Sequence, residues 1–176
     1  MEPLAVSVRL ERASDRVAIR ALHDQVFDEP DEGAIVDAIR GTADAIDGGS
    51  IVAVDRSGAV IGHLLASRGF IVGSDGTQRP VWMLGPFAVR ADVQGRGVGA
   101  RLMREQINRA TKRGVPLICL LGHASYYPRF GFQPARSMGI EPPRPWPDEH
   151  WQALKLPAYS SDLQGIASYA PAFNVG

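Results

Sequence analysis

Apolar positions recur along this chain with two periods. From Ala5 to Leu10 they alternate at Val6, Val8 and Leu10, which predicts a first strand. Ile19, Leu22 and Val26 then fall three and four apart, one face of a helix, with Ser14 or Asp15 placed to cap it and Pro30 to break it. Asp31 opens a second helix with Ile35, Val36 and Ile39 turned inward and Asp37 outward, and Gly41 can end it. The period then shortens. Ile51–Val54 and Val60–Ala66 read as two strands joined by the turn Asp55–Gly58, and Gly73–Thr77 turns the chain into a third, Val81–Val89.

After the third strand of this meander comes a glycine cluster, Gly95 to Gly99, and a helix from about Gly97 to Lys112. Its buried stripe is Val98, Leu102, Met103, Ile107 and Ala110, and Gly114 ends it. Val115–Leu121 is apolar throughout, as a strand covered on both faces should be. Strand, helix and strand make a βαβ unit, so Val81–Val89 and Val115–Leu121 are expected to run parallel. Tyr126–Phe132 reads as a short helix and a turn into a strand. Glu141–Pro147 reads as a proline-rich loop, and Trp151–Leu156 and Gly165–Phe173 as late strands. The fold class is α/β in the α+β sense, with a mixed sheet and helices on both faces.

Composition narrows this further. With 176 residues, 45% hydrophobic and 22% charged, the expectation is a single domain over residues 1–176. Lys+Arg and Asp+Glu are both 19, so no net charge favours nucleic acid or a membrane surface. The lone cysteine, Cys119, makes no internal disulfide, and in its apolar strand it reads as a buried structural thiol. The first residues lack the basic start and apolar run of a signal peptide, and no apolar stretch reaches membrane-spanning length. The expected location is cytoplasmic. His23, His63, His123 and His150 show no metal-ligand spacing, so no metal is expected.

Gln94-Gly95-Arg96-Gly97-Val98-Gly99 carries the chemistry. A helix start has unpaired N–H groups and a partial positive charge, and glycines let that backbone approach a bulky anion. Such a loop cradles a phosphate or pyrophosphate, with Arg96 adding charge at its rim. The competing reading is that Gly97 and Gly99 merely permit close helix–sheet packing. A nucleoside-triphosphate loop fails because the segment ends Gly99-Ala100-Arg101 rather than Gly-Lys-Ser/Thr. A dinucleotide site fails on glycine spacing, and Gly122-His123-Ala124 offers no ribose-binding carboxylate.

Gln94-x-x-Gly97-x-Gly99, set between a strand and a long amphipathic helix, resembles the Gln/Arg-x-x-Gly-x-Gly/Ala signature of the GCN5-related N-acetyltransferase (GNAT) superfamily. Tyr127-Pro128-Arg129-Phe130-Gly131-Phe132 matches that family's tyrosine four residues ahead of Gly-Phe. With Leu120–Ser125 before it, and Gly62-His63 earlier, the chain looks like the YhbS-like subgroup of predicted acetyltransferases. The resemblance is clearest over residues 51–134, ahead of a loop and late strands over 135–176. It implies the GNAT fold, a mostly antiparallel sheet whose central parallel fourth and fifth strands splay apart.

It also implies acetyl-CoA as co-substrate. Main-chain groups of Phe87, Ala88 and Val89 would pair with the pantetheine arm. Gln94, Gly95, Arg96, Gly97, Val98, Gly99 and Ala100 would hold the pyrophosphate, and Ser125 would touch the coenzyme. The implied reaction is direct attack of a primary amine on the thioester in a ternary complex. A backbone N–H near Ala88 or Val89 would polarise the carbonyl, and Tyr127 would act as general acid. A core aromatic is the competing reading of Tyr127, and Tyr126 is the neighbour it must be told from. For the base, Glu29, Asp31, Glu32, His63, His123 and water stand open, with His63 first read as a half-buried structural residue. Trp82, Trp146 and Trp151 could line an acceptor pocket, although packing is their default. Two rival functions remain: an acyl-CoA sensor without catalysis, and transfer of a longer acyl group. The acceptor is an unidentified small-molecule or peptide amine, and the late strands could pair in a homodimer.

Overall fold

The computed structural model describes residues 4–29 and 31–174, so the break expected at Pro30 lies outside the described residues. The chain divides into two compact units. One comprises Met1–Ala66, Gly85–Gln106 and Pro171–Gly176, the other Ser67–Leu84 and Ile107–Ala170.

The first unit holds β1 (Ser7–Leu10), α1 (Arg16–Val26), α2 (Asp31–Ile39), β2 (Ala45–Val54), the start of β3 (Val60–Val72), the end of β4 (Gln78–Val89) and most of α3 (Val98–Lys112). β1 pairs antiparallel with β2, Ser7 opposite Val54 and Leu10 opposite Ile51. The core beside them is Ile19, Ile35, Val36, Ile39, Val52, Val54 and Leu65, of which Ile19, Ile35, Val36 and Ile39 are inward positions of the two helices read from the helical period. Gly62 and His63 are successive on β3, so they face opposite ways. A Cβ on Gly62 would lie 2.9 Å from Leu102 of α3, while His63 meets His23 of α1. Helices therefore cover both faces of this strand.

The start of α1 corrects one expectation. Ala13–Asp15 form a 3-10 turn, and Asp15 makes no side-chain cap on α1. Its buried carboxylate instead accepts the Arg12 N–H at 2.7 Å and both terminal nitrogens of Arg9 at 2.7 and 2.9 Å. These bonds hold it below the usual carboxylate range, the Arg9 side chain contributing most.

The second unit holds the rest of β3 and β4, the last turn of α3, and β5 (Leu117–Leu121), β6 (Gln133–Pro134), β7 (Ile140–Glu141), β8 (Trp151–Lys155) and β9 (Gly165–Ser168). Its strand order is β3-β4-β5-β8-β6, with β7 paired to β9 and β9 to β3. β5 runs parallel to β4 through Trp82/Ile118 and Met83/Cys119, as the βαβ reading requires, and antiparallel to β8 from Leu117/Lys155 to Leu121/Trp151. Thus β5 lies between two partners, and Leu117–Leu120 are buried. Ile71, Val81, Met83, Leu117, Cys119, Trp151 and Leu163 form the core here.

Strand ends depart most from the sequence reading. β2 starts at Ala45, β3 runs on to Val72, and β4 starts at Gln78. The added residues include Asp47, Gly48, Arg68 and Gly69, whose composition alone argues against a strand. The late strands are shorter than expected. β8 stops at Lys155, β9 stops at Ser168, and Pro171–Asn174 make a 3-10 turn where strand had been expected to Phe173.

Candidate functional site

The turn after β4 is built to hold a helix start open. The Arg90 N–H bonds the Ile61 carbonyl at 2.9 Å. Ala91–Val93 then make a 3-10 turn anchored by buried Val93. Gln94 is extended, and its Nε2 donates back to the Val89 carbonyl at 2.9 Å. The side chain of the motif glutamine thus ties the turn to the strand end. Gly95 and Gly97 follow at φ 73 and 83, the left-handed region that favours glycine. A Cβ on either would meet nothing within 4 Å. Conformation, not helix–sheet packing, requires glycine at Gly95 and Gly97, whereas Gly62 on β3 is a glycine on which α3 packs closely.

α3 opens at buried Val98. The Arg101 N–H bonds back to the Gly97 carbonyl at 3.1 Å, so Val98, Gly99 and Ala100 are the amides ahead of the helical ladder. They stand at the positive end of a 15-residue helix. Residues 94–97 are exposed, and Gly99 and Ala100 are half-buried. An anion as large as a diphosphate can be received by such a turn through main-chain donors. Phe87 and Val89, half-buried, alternate with buried Ala88 on the strand that leads in.

In the second unit, Tyr127 opens the 3-10 turn Tyr127–Phe130, closed by Gly131 at φ 95 with its N–H on the Pro128 carbonyl at 3.0 Å. The Tyr127 ring lies edge-on to Tyr126 at 5.1 Å and to Phe132 at 5.9 Å. It sits over Gly122, where a Cβ would be 2.2 Å from its Cε2. Gly122 is pinned in turn: its N–H donates to the His150 carbonyl at 2.9 Å, and His150 Nδ1 is 3.0 Å from its own carbonyl. Burial first, then Tyr126, pushes the Tyr127 hydroxyl up to about 12, so it keeps its proton at neutral pH. Tyr126 is engaged differently. The Arg129 guanidinium stacks over its ring at 4.5 Å, and Arg129 Nε donates to its carbonyl at 2.8 Å.

The other sequence candidates fall as follows. Ser125 and His123 are exposed in the loop after β5. Glu29 and Asp31 are exposed, and Glu32 is half-buried, with burial and then Asp31 raising its carboxyl. His63 is fully buried rather than half-buried, with both ring nitrogens engaged, so it cannot meet a substrate directly. Cys119 is buried in the sheet, and burial alone raises its thiol far above the ordinary range, which leaves it inert. Trp151 is a core residue donating to the Ile140 carbonyl at 3.0 Å, with Trp146 packed against it. Trp82 is buried under Arg113. His23 is the residue that sequence reasoning missed. The available signal was a polar ring next to Leu22 on the buried stripe of α1.

No helix among the described residues is long and apolar enough to cross a membrane. The family model for the acetyltransferase (GNAT) domain matches residues 7–135. The chain is 34% identical over 157 residues to the uncharacterized N-acetyltransferase YjhQ of Escherichia coli (strain K12), covering 86% of this chain and 85% of that protein. It superposes on the crystal structure of the GNAT family N-acetyltransferase YhbS from Escherichia coli in complex with CoA with a TM-score of 0.88 and 25% identity, covering 100% of this chain and 96% of that one. A GNAT family acetyltransferase from Brucella melitensis in complex with acetyl-CoA gives a TM-score of 0.78 and 30% identity, covering 96% and 98%.

Proposed function

The chain belongs to the acetyltransferase (GNAT) family and is an N-acetyltransferase, and from that premise we propose that it moves the acetyl group of acetyl-CoA to a primary amine by direct attack. The observation that carries this reading is the turn at Gly95 and Gly97, left-handed and open in front of three amides not yet used by the helix. Two of the solved relatives hold CoA or acetyl-CoA, which supports the same ligand here. Within residues 94–100 the Gln94 and Arg96 N–H groups already bond the Ala91 and Val93 carbonyls at 3.4 and 3.3 Å, so the amides of Gly95, Gly97, Val98, Gly99 and Ala100 take the diphosphate. The backbone of Phe87, Ala88 and Val89 takes the pantetheine arm. Ser125 contributes from the loop after β5. Binding both reactants makes the attack intramolecular in effect, which is worth several kcal/mol of the barrier, up to about 7–11 in well-oriented cases. A main-chain N–H near Ala88 or Val89 steadies the developing oxyanion. Tyr127 gives its proton to the departing CoA thiolate, and burial supports that role by keeping the phenol protonated. The acceptor is a small-molecule or peptide amine met in the cytoplasm, and a second copy pairs through the late strands.

The decisive experiment is calorimetric titration of CoA into the protein and into Gly97→Val. A β-branched residue does not adopt φ 83 without strain, so the turn must move. We expect CoA affinity to fall at least tenfold, about 1.4 kcal/mol, with the far-UV spectrum unchanged. Equal affinity for both proteins overturns the assignment of this turn. CoA binding without thiol release from acetyl-CoA on any amine supports the non-catalytic sensor instead.

A further inference from the structure

Four polar side chains form one hydrogen-bonded file inside the first unit, and the acetyl-transfer steps above use none of them. The Ser50 hydroxyl donates to Glu11 Oε2. Ser50 Oγ is 2.8 Å from His63 Nε2, and His63 Nδ1 is 2.8 Å from His23 Nε2. His23 and His63 are 1% and 0% exposed.

The proton positions follow from one end. Arg40 Nε donates to Glu11 Oε1 at 2.8 Å and the Ser50 hydroxyl donates to Oε2, so the Glu11 carboxyl group accepts at both oxygens. Ser50 has one proton and gives it to Glu11. Its oxygen must therefore accept, and the donor is His63 Nε2–H. Burial lowers both imidazoles, His63 well below its ordinary value and His23 to about 4, so both rings are neutral at pH 7. Neutral His63 then has its lone pair on Nδ1 and accepts from His23 Nε2–H. This leaves the lone pair of His23 on Nδ1, and that atom is buried with no hydrogen-bond partner. A bare buried acceptor costs about 1–3 kcal/mol. Ser67 Oγ and Gln106 Oε1 are buried in the same state; what sets His23 Nδ1 apart is that it ends a file of exchangeable protons running to a carboxyl group.

We infer that the file Glu11–Ser50–His63–His23 is the proton acceptor of the acetyl transfer, with His23 Nδ1 receiving through one ordered water the proton that the acceptor ammonium must lose. The inference rests on the acetyltransfer reading. His63 stands two residues along β3 from Ile61, whose carbonyl holds the Arg90 N–H at the end of the Phe87–Val89 stretch. The reaction R–NH₃⁺ + acetyl-S-CoA gives the amide, HS-CoA and one H⁺. Two protons leave the nitrogen. One reaches the thiolate by way of Tyr127, and the other enters the file.

As Nδ1 of His23 gains that proton, its Nε2–H passes to His63 Nδ1, the His63 Nε2–H passes to Ser50, and the Ser50 proton passes to Glu11. Both rings end neutral with their tautomers exchanged, and the arriving charge cancels the carboxylate. No new charge is left in the core. Arg40 keeps Asp37 as its partner while Glu11 is protonated. The charged groups facing His23 are Asp24 on its own helix, Asp37 on α2 and Arg40 just past the end of α2, with His63 on β3; Arg16 also lies 3.7 Å from Glu11. When the acetylated amine has left, the protons retrace the file and the extra one departs from His23 Nδ1 through the same water, which restores both starting tautomers; the Glu11 side chain, 10% exposed, holds it only in between. In this scheme Ser50, His63 and Glu11 are positioning residues.

The test compares wild type, Ser50→Ala and Ser50→Thr with acetyl-CoA and free lysine, spermidine, tyramine and an alanyl peptide from pH 6.5 to 10. Ser50→Ala cuts the file. We expect its kcat to fall roughly tenfold or more at pH 7, within the usual worth of acid–base assistance. KM for acetyl-CoA stays unchanged, and the rates converge near pH 10, where the amine arrives without its extra proton. Ser50→Thr restores the wild-type profile. An active wild type with an equally active Ser50→Ala at pH 7, or a loss uniform across pH, overturns the relay alone. A wild type that acetylates none of the amines removes the activity and the relay with it. If Ser50→Ala does not fold, long-range proton–nitrogen spectra of the wild type decide. Nε2–H on both His23 and His63 is expected, and Nδ1–H on either overturns the file.

Discussion

A methyl group on Gly122 would overlap the ring of Tyr127, 2.2 Å from Cε2, so the glycine leaves the space in which the phenol stands. Gly122→Ala must tilt the ring or lift its 3-10 turn, because His150 fixes the glycine on both of its backbone groups. Steady-state kinetics should show kcat reduced about tenfold for Gly122→Ala and about a hundredfold or more for Tyr127→Phe, with CoA affinity unchanged in both. The double variant should lose little beyond Tyr127→Phe, since the two changes act through one hydroxyl. Full additivity would show that Gly122 matters for another reason. Cys119 gives a simpler test. A thiol raised this far by burial should react with a disulfide reagent only as fast as the protein unfolds. Prompt labelling of the native protein would contradict its place in the sheet.

Elements show how a side chain's neighbours turn pattern into structure. Gly62 lets α3 lie against β3, with Val98 Cγ1 3.1 Å and Leu102 Cδ1 2.9 Å from where a Cβ would stand. Gly62→Val overfills that seat. Urea unfolding should show a loss of about 1–3 kcal/mol, and an unchanged midpoint would mean the helix is not in contact there. The sequence made α3 and most of its stripe legible because Val98, Leu102, Met103 and Ala110 repeat at helical spacing and are buried, whereas Ile107, read into the same stripe, is half-buried and Gln106 takes the buried place, its Nε2 donating to the Gly49 carbonyl at 2.7 Å. The glycine turn was legible because a helix start has fixed donors. The seat at Gly62 was not, since which strand glycine meets a helix depends on contacts far apart in the chain. The two-residue strands at Gln133–Pro134 and Ile140–Glu141 carry no period to read. The role of Asp15 was misread for a similar reason: its partner Arg9 sits on a strand, and local capping rules do not see it. The histidine file is non-local altogether, 40 residues separating His23 from His63.

For the whole chain, these buried groups set the window of pH in which it stays folded. His23 and His63 are neutral and depressed in the folded state, whereas in the unfolded chain they titrate near 6.5. Below that value the unfolded state binds more protons, so stability is complete above about pH 6.5 and drains as the pH falls toward 4. Each histidine contributes a slope approaching about 1.4 kcal/mol per pH unit, and His23 alone, moved from 6.5 to about 4, accounts for roughly 3 kcal/mol over the range. Asp15, also depressed, adds its loss only at lower pH, below the ordinary carboxylate range. On the alkaline side Cys119 and Tyr169 are raised by burial, so the unfolded chain gives up their protons first and stability falls above about pH 9. Denaturant titrations from pH 4.5 to 10 should therefore trace a plateau between about 6.5 and 9 with a steep acid limb. Replacing His23 by Gln should flatten that limb by close to one proton's worth of slope, even where it lowers the plateau. An acid limb equally steep in the variant would mean that His23 is charged or solvated in the native state, and its Nδ1 would then be no waiting acceptor.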